Sequence, residues 1–300
     1  MNNIKKQKVV LLGGSGFVGQ YLRAGITKYE FISTFYSEWF PDGIFFDLEK
    51  TNLSSIIEES NCSHVFFLAG MVKFDEVKTQ PERAWRINVE ASIERIKEAI
   101  DNNVVVVYFS SESIFSGEEG NYTEENIPNP KFSYGKQKFE VEKFIVNNTD
   151  KFFIFRLSKV YSSDREPKSL VTSWINQLEK DEDIHVATDN IFCPIHVNDV
   201  VAFVEALIDS RKYGVYNVCS PKPYSRSEML KIVMDEYLKY FTYSGTINHM
   251  KLNTIKGAEM TPKNTSLVSQ KSELITGFTA QNFLYWGRRI VQSHAFNRVL

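Results

Sequence analysis

The stretch KVVLLGGSGFVGQYL, residues 8–22, decides the fold. Four apolar residues, Val9 to Leu12, run straight into Gly13, Gly14, Gly16 and Gly19. Glycine weakens strands and helices, so such a cluster marks a sharp turn or a close approach. Residues 8–12 read as a buried strand and residues 17–26 as the helix after it. Gly14-Ser15-Gly16-Phe17-Val18-Gly19 fits G-x-G-x-x-G, and Gly13 extends it to G-x-x-G-x-x-G. In this setting an early glycine makes the turn, the middle one admits a pyrophosphate, and Gly19 lets the helix pack on the sheet. The phosphates meet free N–H groups at the positive end of the helix. Gly13, Ser15, Gly16, Phe17, Val18 and Gly19 are thus candidate dinucleotide ligands. A plain glycine-rich turn is the competing reading, and the strand–loop–helix order speaks against it.

Beyond this stretch, short apolar runs alternate with amphipathic ones through the first half. Strands are expected at 31–36, 43–46, 64–69, 104–110 and 152–157, and helices at 53–59, 81–100 and 133–147. The run Val104-Val105-Val106-Val107 means burial on both faces. The fold class is therefore α/β, a doubly wound parallel sheet with helices on both faces. The second half is less regular. Helices are expected at 172–178, 197–208 and 225–238, a short strand at 215–218, and loops with small strands over 241–275. This predicts a dinucleotide-binding domain over 1–160, with 190–215 returning to it. A smaller C-terminal α/β substrate lobe is predicted from 161–189 and 216–300.

Composition narrows the function. Apolar residues make up 43% of 300, as in globular chains, and the net charge of −2 comes without a basic tract. Nucleic acid is not an expected partner. No stretch is long and apolar enough to span a bilayer. The basic start, Lys5-Lys6-Gln7-Lys8, precedes too short an apolar run for a secretion signal. Cys62, Cys193 and Cys219 are scattered and odd in number, which argues for reduced thiols and against a disulfide scaffold or zinc site. The expected location is the cytoplasm, with no metal.

The cofactor side continues past the second strand. An acid at its tip would hold the ribose of NAD; Tyr36 stands there, followed by Ser37 and Glu38. Ser37 can hydrogen-bond a 2′-phosphate, which favours NADP(H). NAD(H) stays open, because no arginine is close in sequence. Asp47-Leu48 can flank the adenine, and Ala69-Gly70-Met71 are small enough to let the cofactor cross the sheet edge.

Catalytic candidates follow from FSYGKQKFEVEKF. Tyr134 and Lys138, four apart at the start of a helix, share one face. The fifth strand ends in Phe109-Ser110-Ser111-Glu112-Ser113, at the edge where open α/β sheets bind ligands. An ammonium at Lys138 favours the Tyr134 phenolate, which can exchange a proton with an alcohol oxygen. The Ser111 hydroxyl can hold that oxygen. A lone Y-x-x-x-K is weak; with the glycine loop and the serine pair it is not.

This pattern resembles the extended short-chain dehydrogenase/reductase family over most of the chain, nearest to its dTDP-4-dehydrorhamnose reductase-like (RmlD-like) branch. Ser110-Ser111-Glu112-Ser113-Ile114-Phe115-Ser116-Gly117 is similar to that branch's S-T-D-Y-V-F-D-G. Phe155-Arg156-Leu157-Ser158-Lys159-Val160-Tyr161 resembles its R-x-S-x-V-Y-G strand, residues 189–200 its D-Q-x-x-S-P-T-x-V-x-D-L, and Pro262-Lys263-Asn264-Thr265-Ser266-Leu267 its late R-P-x-N-S-x-L. The resemblance implies a Rossmann lobe with a smaller lobe, a sugar-nucleotide substrate, and ketone reduction by NAD(P)H. It also implies that Lys138 holds the nicotinamide ribose and that Asn88 anchors active-site backbone. Glu112 for aspartate, Ser113 for tyrosine, Thr261 for arginine and Ser162 for glycine alter the substrate side more than the cofactor side.

Candidate substrate residues are Lys73, Ser111, Glu112, Ser113, Trp174 and His196. Lys73 and Asp75 match a cleft segment but also read as a solvated loop. Trp174 can stack a base, and His196 either lines a nucleotide pocket or is packed. Glu140, Glu142 and Lys143 read as a solvated helix face. The expected activity is NAD(P)H-dependent reduction of a 4-keto (deoxy)sugar nucleotide. An AT-rich bacterial composition associates it with surface polysaccharide or deoxysugar biosynthesis; a homodimer is compatible. The alternatives are a sugar-nucleotide epimerase or dehydratase, and a non-catalytic NADP-binding regulatory homologue. Ser113 removes the second acid a dehydratase needs.

Overall fold

The computed structural model describes residues 6–164, 169–255 and 261–299. Lys5 of the basic start and part of the 241–275 stretch lie outside them. The chain divides into two compact units. The first comprises Met1–Ile114, Pro128–Arg156 and Val204–Tyr216; the second comprises Phe115–Ile127, Leu157–Phe203 and Asn217–Leu300. Two boundaries differ from expectation. Segment Phe115–Ile127 belongs to the second unit, and the returning segment begins at Val204 rather than at 190.

The first unit alternates as its sequence requires. In order come β1 (Gln7–Leu12), α1 (Phe17–Gly25), β2 (Tyr29–Phe35), β3 (Ile44–Phe45), α2 (Leu53–Ser60) and β4 (His64–Phe67). A helical run follows: α3 (Phe74–Thr79), α4 (Pro81–Trp85), a π-helical turn (Arg86–Ala91) and α5 (Ser92–Asp101). Then come β5 (Val105–Ser111), α6 (Ser133–Asn148) and β6 (Phe152–Leu157). The second unit supplies β7 (Val160–Tyr161), α7 (Leu170–Glu179), β8 (Ile184–Ala187), β9 (Ile191–Phe192), β10 (Ile195–His196) and α8 (Val197–Ser210), which crosses into the first. After β11 (Gly214–Val218) come β12 (Tyr224–Ser225), α9 (Arg226–Tyr237), β13 (Ile247–Met250), α10 (Gln270–Thr276) and α11 (Phe283–Val299).

Seven strands form the main sheet in the order β11-β6-β5-β4-β1-β2-β3, reversing direction of growth at β1 and β4. The pairs β1–β2, β1–β4, β2–β3 and β4–β5 are parallel. That order is the Rossmann order, and its switch point lies beside β1, the strand carrying the glycine loop. Val10, Leu12, Val65, Phe67, Val106 and Tyr108 bury one face of the sheet with Ile57, Ile96 and Val141 from the helices. At about 25 cal/mol per Å² such burial dominates the stabilisation.

Local signals set the helix ends. Asn52 caps α2 by accepting from the Ser55 N–H at 3.2 Å, and Asn61 ends it at φ 51°. Ser225 and Glu228 form a capping box on α9. The second unit has its own core of Tyr161, Ile175, Leu178, Phe192, Leu230 and Phe283. Among the described residues no helix is long and apolar enough to cross a membrane.

Candidate active site

The glycine loop folds by backbone close packing. Gly14 N–H donates to the Thr34 carbonyl at 2.8 Å, and Gly13 N–H to Thr34 Oγ1 at 3.2 Å. Gly13 sits at φ +91°, and a Cβ there would lie 2.8 Å from the Ala69 nitrogen. A Cβ on Gly19 would lie 2.4 Å from the Gly13 carbonyl oxygen. Those two positions demand glycine. Gly16 does not on backbone grounds: its φ is −69°, and its Cβ would meet the Gly13 oxygen at 3.3 Å. The space outside Gly16 is therefore the reason for glycine there. Gly16 is also the N-cap of α1 and puts no side chain over the first-turn N–H groups. That is the cradle a pyrophosphate fits.

Around the loop the other cofactor candidates fall unevenly. Ala69 touches Gly13, so the Ala69-Gly70-Met71 turn borders the glycine loop. Asn88 fixes that turn. Its Oδ1 accepts from Met71 N–H at 2.7 Å, and its Nδ2 donates to Met71 O and Gln137 Oε1, both at 2.8 Å. The π-helical turn aims Asn88 there, as such turns often do at functional sites. Ser37 is exposed past the tip of β2, while Tyr36 stacks on Phe45 with ring centres 6.0 Å apart. Asp47 Oδ1 accepts from Glu49 N–H at 3.0 Å, bracing its own turn, and Leu48 belongs to the first unit's core.

Helix α6 lies hard against the end of β5. A Cβ on Gly135 would sit 2.0 Å from the Ser113 carbonyl oxygen, so only glycine permits this approach. It brings the first turn of α6 to the serine turn. There Ser111 Oγ donates to Ser113 Oγ and accepts from Ser113 N–H, both at 3.2 Å. Lys138 is buried; its Nζ donates to the Phe109 carbonyl at 2.8 Å and lies 4.7 Å from the centre of the Tyr108 ring. Burial pulls the Lys138 ammonium down to about 8, against a smaller upward pull from Glu142. Burial also pushes the Tyr134 phenol up. The expected lowering of Tyr134 by Lys138 is therefore absent here: Nζ is turned to a carbonyl, 5.9 Å from the Tyr134 ring centre.

Three expectations need correction. Glu142 is not on a solvated face. It is 3% exposed and pairs with buried Arg156, whose Nη2 donates to Glu142 Oε2 at 2.8 Å. Trp174 is 4% exposed within the second unit's core and offers no stacking face. His196 is a packed histidine. Its ring stacks on Trp286 at 3.8 Å, its Nδ1 accepts from Asn198 N–H, and its Nε2 lies 3.0 Å from Ser163 Oγ. Since Nδ1 accepts a backbone proton, Nε2 carries the ring proton and donates to Ser163; this serine gains no base. Desolvation lowers His196 to about 4. Lys73 is exposed and pairs with Glu76 Oε1 at 3.0 Å. Glu112 and Ser113 open a short 3₁₀ turn, with Ser113 buried.

Sequence reading missed Gly135, Gln137 and the Glu142–Arg156 pair. Signals existed: a glycine beside Tyr134, and an arginine inside the apolar strand Phe152–Leu157, which demands a buried partner.

A Rossmann sheet with this glycine loop, and a serine, tyrosine and lysine at the end of β5, define an extended short-chain dehydrogenase/reductase. The chain belongs to the family described as the RmlD substrate binding domain, which matches residues 7–294. It is 25% identical to methionine adenosyltransferase 2 subunit beta of Rattus norvegicus over 291 residues, covering 91% of this chain and 84% of that one. It is 24% identical to dTDP-4-dehydrorhamnose reductase of Sinorhizobium fredii, covering 82% and 86%. In fold it is similar to dTDP-4-dehydrorhamnose reductase of Bacillus anthracis in complex with NADP, with TM-score 0.84, 20% identity and coverage of 96% and 99%.

Proposed function

We propose that this chain is an NAD(P)H-dependent reductase of a 4-keto sugar nucleotide, acting in the cytoplasm in bacterial polysaccharide or deoxysugar biosynthesis. The observation that carries the reading is the seating of α6 against the serine turn through Gly135, with Lys138 Nζ on the Phe109 carbonyl of β5. The uncapped α1 N-terminus fits a pyrophosphate, and the likeness to the Sinorhizobium fredii reductase supports the substrate class.

When bound, the nicotinamide supplies the hydride. Ser111 Oγ–H hydrogen-bonds the substrate's keto oxygen and holds it by Tyr134. The Tyr134 hydroxyl gives its proton to that oxygen as it becomes an alcohol. Lys138, charged below about pH 8, holds the ribose side of the cofactor. Ser37 accepts the role of 2′-phosphate partner, which favours NADP(H).

Tyr134→Phe tests the reading. Single-turnover NADPH oxidation with a 4-keto sugar nucleotide should slow by about a hundred- to ten-thousandfold, with NADPH affinity nearly unchanged. Near-wild-type hydride transfer in this variant would end the assignment.

A second reading is a cofactor-binding subunit without turnover. The likeness to the rat methionine adenosyltransferase subunit favours it; the intact Ser111, Tyr134 and Lys138 oppose it. NADPH binding with no turnover of any 4-keto sugar nucleotide would select it.

A further inference from the structure

The three cysteines look scattered in sequence, yet the second unit brings two of them to one atom. Cys193 Sγ donates to the Leu267 carbonyl oxygen at 3.3 Å, and Cys219 Sγ donates to the same oxygen at 3.4 Å. Two donors on one acceptor hold the sulfurs no more than about 7 Å apart, as neighbours within the second unit. Both thiols are buried. Cys193 links β9 to β10, and Cys219 directly follows β11.

We propose that Cys193 and Cys219 are an oxidisable dithiol whose disulfide staples the β9–β10 segment to the end of β11. The co-reactant is a low-molecular-weight disulfide such as oxidised glutathione. During local opening of the segment around Leu267, one cysteine thiolate attacks a glutathione sulfur and releases the first glutathione thiolate. The second cysteine thiolate attacks the resulting mixed disulfide at the protein sulfur and releases the other. The two cysteines lose two electrons, glutathione disulfide gains them, and the two cysteine protons end on the two glutathione thiols.

Oxidation has a structural cost and a gain. Leu267 O loses both S–H donors. Leu267 lies in the stretch where Tyr122 N–H donates to Ser266 O and Val268 N–H to Tyr122 O, both at 2.9 Å, so the change reaches the Tyr122 turn. The gain is a restricted unfolded chain, which outweighs two weak thiol donors. Cys62, in the first unit's core, is the internal reference thiol. The inference stands independently of the proposed reductase activity.

The folded protein, treated with oxidised glutathione, is quenched with N-ethylmaleimide in denaturant and mapped without reduction. The expected result is a joined peptide pair containing Cys193 and Cys219, alkylation at Cys62 alone, and a melting temperature raised by about 5 °C. Cys193→Ala should leave Cys219 as a thiol or a mixed glutathione adduct. Three alkylated cysteines after prolonged treatment, a link involving Cys62, or a stable glutathione adduct on the wild-type pair would each overturn the proposal.

Discussion

Helix α6 in the first unit and the segment 189–200 in the second both bury titratable side chains, with opposite results. On α6 the buried groups have polar partners, although burial still pulls Lys138 down to about 8. Glu142 is ion-paired to Arg156, and Lys138 sits one turn away with its Nζ on a strand-end carbonyl. At His196 in the second segment burial removes charge: the ring is held neutral, stacked on Trp286 and fully hydrogen-bonded. A buried charge is costly and survives only where partners hold it, so it can be spent on chemistry. A buried neutral ring is packing. Both lie in motif-like stretches, and only the environment separates them.

The largest effect is expected where the ion pair on α6 loses one partner. Glu142→Ala leaves the Arg156 guanidinium buried without its partner. It should cost about 3–5 kcal/mol in urea unfolding, and the double change Glu142→Leu with Arg156→Met should restore much of that. A loss within about 1 kcal/mol for the single change would mean the pair does not brace the helix.

Gly135→Ala displaces the helix itself. The added methyl meets the Ser113 carbonyl oxygen at 2.0 Å, so α6 must move away from β5. The expected effect is about 1–3 kcal/mol of stability and about a hundredfold in hydride transfer, because Tyr134 moves with the helix. Unchanged turnover would show that the close approach does not position Tyr134.

The histidine side is tested by acid. The folded pKa of His196, about 4, lies below its ordinary 6.5, so the unfolded chain binds more protons between those values. Stability is therefore full above about pH 6.5 and is lost as pH falls toward 4, by at most about 3 kcal/mol from this group. His64, also drawn down to about 4 by burial, adds the same sign in the first unit. His196→Gln should flatten the acid slope of thermal stability, and an unchanged slope would mean His196 is not held neutral.

Legibility in the sequence followed the same divide. The glycine loop, β1 and β5 were readable because local chain geometry makes them: an apolar run, a turn, a helix start. Tyr134, Lys138 and Ser111 stand out in the sequence only as a spacing and a strand end, and their proposed roles rest on that pattern. Glu142, Gln137 and Trp174 were misread or missed because their roles come from partners far along the chain. Helical spacing alone cannot tell a paired buried acid from a solvated one. The Cys193–Cys219 meeting at Leu267 is the same kind of fact. The second unit's helix Phe283–Val299 went unread, its polar and apolar residues lacking a clear stripe.

The smallest effect is expected at the tip of β2. Ser37 is exposed, and Tyr36 there is occupied in stacking on Phe45 rather than standing in for an acid. Discrimination of the 2′-phosphate would then rest on a neutral hydroxyl in high dielectric, which gives a modest preference. Ser37→Asp puts a negative charge where the phosphate would sit and offers an acceptor to a ribose hydroxyl instead. Calorimetric titration should show wild type favouring NADPH and the variant favouring NADH, each by about tenfold, or roughly 1.4 kcal/mol. The shift should shrink at high salt, because exposed charges are screened. Equal wild-type affinities for the two cofactors would remove Ser37 from the site and leave the choice to the backbone around Gly14, which binds both alike.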